Sequence, residues 1–421
     1  MGKLSPGWKL ARCVALAAAV ASPAFAAPEI SFHEAVQAAW DRLPQRRNLD
    51  ARRHVAEARF SAGGTLFPNA PYVTGNYFND RIAGSNEGYI TTQGEVGTPI
   101  WLPGEGTATQ NAARADAATV AADEAADHLA LASHMLDLVR RASLAANAAD
   151  IARRHMALAG KLAAALHESV AVGETAQSDA LAADAEAAQA RITLSNAAAD
   201  LSAAQASLQI LTGSDAIPVL AAPPAPPVTP MLVAASAITP DVAQAIANHP
   251  AIMAAERALA AARAQARLVR IENRDDPEVG LQVINEKQFG SPWDTRVGVM
   301  VHFPFATAGR NAPKRAQAEA EITQADVHLE QAQRDVLAGI RQSAAQLAGA
   351  EQANQAAAQA AGALDRRRGQ IDHAWRLGEM PLIELVRANA TAFEADLASE
   401  KSRTERDAAR LALRIALGQV P

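Results

Sequence analysis

Thr295-Arg296-Val297-Gly298-Val299-Met300-Val301-His302-Phe303 alternates apolar residues at 297, 299, 301 and 303 with Arg296, Gly298, Met300 and His302. A period of two marks a β-strand with one apolar and one polar face. Upstream, after a break at Asp275-Asp276-Pro277, Glu278 to Asn285 reads as a second strand. Each run is about the 9–11 residues that cross a bilayer as a tilted strand. Downstream the pattern changes, and no proline interrupts the chain from Lys314 to Met380. At 1.5 Å per residue, about 65 residues make a helix near 100 Å long. A globular core has no use for that length, whereas a coiled coil or a periplasm-crossing tube does. Pro313 is expected in the first turn, where its missing N–H costs nothing.

The same pattern stands once earlier in the chain. Pro99, Gly104, Gly173 and Gly213 correspond to Pro304, Gly309, Gly378 and Gly418 at an offset of 205, and Pro44 and Pro71 to Pro250 and Pro277 at 206. Ordered punctuation of this kind marks a duplication. Copy one reads as a helical stretch from Phe32 to Leu66, a break at Pro68-Asn69-Ala70-Pro71, strands Tyr72–Asn79 and Gly88–Ile100, and a proline-free helix from Gly104 to Ala171. Copy two opens with a helix reaching about Glu272. Gly173-Glu174 and Gly378-Glu379 end the long helices, and shorter helices, Gln177–Leu211 and Leu382–Leu417, return alongside their distal halves. The expected division is a leader at 1–26, a first repeat at 27–217, a proline-rich tether at 218–231 and a second repeat at 232–421.

The leader has the features of an export signal. Lys3, Lys9 and Arg12 precede the apolar run Val14 to Val20, and Ala24-Phe25-Ala26 supplies the small residues of a cleavage site. That run is too short to span about 30 Å of hydrocarbon. Removing the leader takes the net charge from −6 to −9 and removes Cys13, the single cysteine. No disulfide framework is then available. Net acidity argues against nucleic acid as a partner. Of the residues, 49% are hydrophobic and only 4% aromatic, and roughly a quarter are alanine, well above ordinary usage. Alanine favours helices and lets them approach closely.

A membrane sheet must close, because an open edge leaves backbone groups unpaired in lipid. Four strands per chain are fewer than the smallest membrane barrels hold. Chains must therefore share the barrel, two giving eight strands and three giving twelve. A soluble periplasmic coiled-coil adaptor or scaffold is the rival reading from another class, but no block remains for the further domains an adaptor carries.

The duplicated order, the two helix-tip turns and the strand-to-helix junction His302-Phe303-Pro304-Phe305…Gly309-Arg310-Asn311 resemble the TolC family of outer-membrane efflux proteins. So does the second tip, Trp375-Arg376-Leu377-Gly378-Glu379 with Leu382, Glu384, Leu385 and Ala388 after it. The resemblance implies a mainly α fold with a membrane β-barrel: a homotrimer with twelve strands in outer-membrane lipid and a helical tunnel in the periplasm. It implies a passive exit duct that works with an RND-type inner-membrane pump and a periplasmic adaptor. The junction is also similar to the heavy-metal branch, the outer components of cobalt–zinc–cadmium exporters. Drugs, or a polypeptide in type I secretion, are the alternative cargoes.

By the same resemblance, acidic residues after the second tip glycine narrow the periplasmic entrance. Glu384 matches the first such position, Arg387 stands where a second acid is expected, and Asp179 is the copy-one counterpart of Glu384. The adaptor is expected on the tips, at Val172, Gly173, Glu174, Leu377, Gly378 and Glu379. Trp101, Phe303 and Phe305 fall at the periplasmic strand ends, where a membrane-interface belt and junction packing compete as explanations. Phe289 and Trp293 fall in the external loop. Catalysis, cofactors and bound metals are not expected. Gly160-Lys161 lacks the upstream glycine of a phosphate loop, and His128 and His134 lie about 240° apart around a helix.

Overall fold

The computed structural model describes residues 30–81, 83–220 and 240–420. The leader and most of the proline-rich stretch lie outside them. The order is α1 (Phe32–Arg42), α2 (Pro44–Ala62), β1 (Tyr72–Asn79), β2 (Ile90–Pro99), α3 (Glu105–Ala171) and α4 (Gln177–Thr212). It then recurs as α5 (Pro240–Ala247), α6 (Pro250–Ile271), β3 (Glu278–Lys287), β4 (Asp294–His302), α7 (Ala308–Arg376) and α8 (Leu382–Ala416). Among the described residues no helix is long and apolar enough to cross a membrane.

Two sequence expectations need correction. The stretch from Phe32 to Leu66 is two helices, and so is its counterpart before Glu272. Leu43 is extended (φ −69°, ψ 125°), as is His249 (φ −68°, ψ 128°). Each precedes a proline, whose ring disfavours helical backbone at the residue before it. The proline then opens the next helix as its first residue, where an absent N–H is harmless. Pro313, by contrast, is not in a first turn. Helix α7 starts at Ala308, so the proline is inside it and removes the bond to the Gly309 carbonyl.

The helices stand in four columns. Helices α2 and α4 pack on α3, α3 packs on α6 and α8, and these in turn pack on α7. Both long helices run the full height, covered near the sheet by α2 and α6 and further away by α4 and α8. At mid-height α1 adds Phe32, Val36 and Trp40 to Met135 and Val139 of α3, Leu208 of α4 and Leu411 of α8. Ser31 and Glu34 start α1 as a reciprocal cap, with Glu34 N donating to Ser31 Oγ (3.2 Å) and Ser31 N to Glu34 Oε2 (2.9 Å). A second cluster near the tips joins Ala163 and Leu166, Ala180, Ala183 and Ala187, and Leu382 and Leu385. Alanine faces on α3 and α4 make that close contact possible.

The four strands form one antiparallel sheet in the order β1-β2-β3-β4. The β2–β3 pair joins the first half of the chain to the second, with Val96 opposite Leu281. Strands β1 and β4 are the edges.

Candidate functional site

Register decides what the sheet can do. Val73, Val96, Leu281 and Val299 lie in one row across all four strands. Val283 and Val297 pair one row further along that face, and Val279 and Val301 one row back. All eight of these side chains are exposed. The opposite face carries Thr74, Glu95 and Gln282 in one row and Asn76, Gln93, Ile284 and Arg296 in the next. An exposed apolar face backed by a polar one has no stable place in water, but it suits a sheet between lipid and an aqueous lumen.

The polar face is organised by Tyr72. Its ring lies over Gly97, where an added Cβ would come within 2.5 Å of the ring carbon bearing the hydroxyl. The Tyr72 hydroxyl lies 3.0 Å from Glu95 Oε1 and 2.8 Å from Glu278 Oε2, donating to one carboxylate at a time. At the far end of the same face Arg296 pairs with Glu286 and with Asp294. Sequence reading missed the Tyr72 bridge because Tyr72 and Glu278 are 206 residues apart and meet only through the register.

Where the strands turn into helices, Ile100 N donates to Pro277 O (2.8 Å), tying the two halves of the chain together. Trp101 is held here too, its indole N–H donating to Thr65 O (2.9 Å). Phe303 has the Arg274 guanidinium over its ring at 4.3 Å, while Phe305 is 82% exposed. Glu105, only 7% exposed, accepts from Leu102 N (2.9 Å) and bonds the Asp276 carboxyl. Burial first, and then Asp276 and Glu272, raise its pKa to about 7. Glu272 is raised as well, chiefly by burial.

At the opposite end, Gly173 and Gly378 take the left-handed conformation (φ 81° and 75°). Glu174 N donates to Ser169 O (3.0 Å) and Glu379 N to Ala374 O (2.9 Å), so both tips close the same way. A side chain at either glycine meets no neighbouring atom, leaving only backbone strain. Gly378→Ala is therefore expected to destabilise the tip by about 1 kcal/mol. A thermal midpoint equal to that of the parent would contradict this. Val172 and Leu377 project from the tips, 70% and 61% exposed.

Glu384 lies in the first turn of α8, and Arg387 Nη1 donates to its Oε1 at 2.8 Å. Asp179 occupies the first turn of α4 and has no side-chain partner among the described residues. No bond joins it to the Glu384–Arg387 pair. Nearby, the imidazole of His155 stacks on Phe393 at 4.4 Å with Glu186 Oε1 3.5 Å from its Nε2, a contact between three helices that no motif announced.

Residues 242–419 match the family model described as outer membrane efflux protein. That match lies within the second half of the chain. No curated protein matches the chain. Solved structures extend the likeness to the first half. The Campylobacter jejuni CmeC outer membrane channel is 15% identical, with 92% of this chain and 85% of that one covered at a TM-score of 0.71. CusC, from a study of folding and transmembrane channel formation, is 17% identical over 92% of each chain at 0.70. The open-state MtrE outer membrane channel of Neisseria gonorrhoeae is 18% identical over 92% and 88% at 0.68. At these identities the likeness establishes the fold, which is TolC-like. The matched family model, CmeC and MtrE are all described as outer membrane proteins.

Proposed function

We propose that this chain is one third of a passive exit duct in a tripartite efflux system, cut as a leader, two repeats and a tether. Three copies bring the four-stranded sheets to a twelve-stranded barrel, and the helical columns continue the lumen through the periplasm. The observation that carries this reading is the two-faced sheet with unpaired edges at β1 and β4. In lipid those edges need neighbours. An RND-type inner-membrane pump supplies the energy, and a periplasmic adaptor contacts the tips at Val172–Glu174 and Leu377–Glu379. Phe303 and Phe305 meet the membrane interface, whereas Trp101 serves the junction. Detergent extraction followed by mass measurement and heat-modifiable migration tests the assembly. A freely soluble monomer would refute it.

Heavy-metal cations are the cargo this reading favours. The polar face carries Glu95, Glu278, Glu286 and Asp294 against Arg296 alone among the strong bases of the strands. Repeated around a barrel, that balance attracts cations. Metal sensitivity of a deletion strain tests the cargo, with unchanged tolerance counting against it.

The entrance is assigned to Glu384, Arg387 and Asp179. Symmetry would bring Glu384 carboxylates together, and Arg387 neutralises each within its own chain. Arg387→Ala is expected to raise single-channel conductance by exposing that repulsion, while Glu384→Gln changes ion selectivity. Unchanged traces in both variants would remove the pair from the entrance.

A further inference from the structure

The two halves of the chain treat the arginines nearest the sheet differently. On α2, Arg52 pairs with Asp123 (2.8 Å), Arg53 with Glu124 (2.9 Å) and Arg59 with Asp116 (3.2 Å), so α3 neutralises each of them. Helix α6 fills the same place in the second half, and Arg263, Arg267 and Arg270 stand exposed on it. Among the described residues none of these three has an ion pair or a hydrogen bond. Helix α7 does not offer the acids that α3 does. At the offset of 205 the counterparts of Asp116, Asp123 and Glu124 are Glu321, His328 and Leu329. Glu321 already accepts from Gln317 (3.0 Å).

Spacings of four and three residues put Arg263, Arg267 and Arg270 on one face of α6. Arg274, in the turn between α6 and β3, continues the row, with its guanidinium 4.3 Å over the Phe303 ring. Phe303 is the next member of the alternation Val297, Val299 and Val301, the exposed apolar face of β4. The stripe therefore begins beneath the apolar face of the sheet, not beneath the polar one. Column order keeps it open. Helix α6 lies between α3 and α7 of its own chain, so a neighbour at either flank does not cover it.

We propose that Arg267, Arg270 and Arg274 bind the phosphates of anionic phospholipids in the periplasmic leaflet of the membrane. The proposal rests on the duct reading above, which puts the apolar face in lipid and this end of the helices directly under it. Guanidinium forks match phosphate oxygens, and basic groups beside a bilayer attract anionic headgroups within about a Debye length. Headgroups add about 5–7 Å to each side of the hydrocarbon. Arg274 stands at the level of Phe303, Arg270 is in the last turn of α6, and Arg267 lies about 4.5 Å below Arg270. Arg263, about 10 Å below Arg270, falls outside the headgroup layer. A grip on headgroups at this level sets the height at which the barrel sits in the bilayer.

The test takes the full chain, purified as the assembly in detergent micelles doped with equal phosphatidylglycerol and phosphatidylcholine. Native mass spectrometry counts the lipids each assembly retains. The parent is expected to prefer phosphatidylglycerol. Arg270→Gln is expected to lower that preference about fivefold, and the double variant with Arg267→Gln to lower it further. Arg263→Gln is expected to leave it unchanged. Arg274 is left in place, because its contact with Phe303 also serves the junction. An intact assembly with no preference, or with equal losses in Arg263→Gln and Arg270→Gln, overturns the lipid site. So does inorganic phosphate that displaces the lipid better than chloride at the same ionic strength, since the site then takes the free ion. Peptidoglycan sacculi that hold the parent but not the double variant, with lipid retention equal in both, overturn it in favour of the cell wall. A monomer that retains neither lipid overturns the duct reading itself.

Discussion

With arginine in place of Leu281, the protein is expected to stop accumulating as a heat-resistant assembly in the outer membrane. Leu281 sits mid-strand in the apolar row, between Val96 and Val299. A charged residue on a lipid face costs up to about 2–4 kcal/mol per chain, and in the proposed trimer three copies repeat that cost around one barrel. Gln282→Arg, the adjacent residue on the opposite face, is the control and is expected to assemble, because in the proposed barrel its side chain meets the aqueous lumen. Gel migration of unheated samples and the membrane-bound fraction report both variants. If Leu281→Arg assembles like the parent, the valine-rich face does not meet lipid.

The second large effect is a pH dependence centred on Glu105. Its pKa is raised from 4.5 to about 7, so the folded protein holds this proton more tightly than the unfolded chain does. The stability this contributes is complete below about pH 4.5, fades as the pH rises, and is gone once the pH passes about 7. Above that point an ionised Glu105 faces Asp276 and Glu272, with Arg310 and Lys314 acting on Glu272 from α7 as the opposing charges. Glu105→Gln keeps a neutral side chain there at every pH. The variant is expected to match the parent at pH 5 and to exceed it at pH 8.5, by on the order of 2 kcal/mol. Thermal midpoints of the two proteins at both values are the measurement. Parallel pH profiles would show that the carboxyl is ionised throughout.

Much of the fold was legible because it is written in long, repetitive signals. Strand β1 runs from Tyr72 to Asn79 as its composition and the flanking proline break placed it, and the other three strands differ by a residue or two at their ends. The long helices were visible as absences of proline, and their tips as glycines that need positive φ. What failed was local. Leu43 and His249 looked helical by composition, and the proline after each outweighed that preference. Pro313 looked like a helix start because proline favours that place, but Thr307 begins the helix six residues sooner.

The sites divide along the same line. Glu384 and Arg387 are three residues apart, so one helical turn brings them together and sequence alone could pair them. The Tyr72–Glu95–Glu278 bridge and the Glu105–Asp276 contact join residues from different halves of the chain. Nothing short of the strand register reveals such partners.

The misplaced proline has a mechanical consequence. Helix α3 has an unbroken backbone ladder for its whole length, whereas α7 lacks one rung where it leaves the sheet. In the proposed tube, one column in four has a compliant point near its upper collar. Torque applied at the lower end would therefore not bend all staves alike. It would be taken up at one stave per chain, beside Gly309, so the twofold likeness of the halves would give way under load to a motion that follows the number of chains.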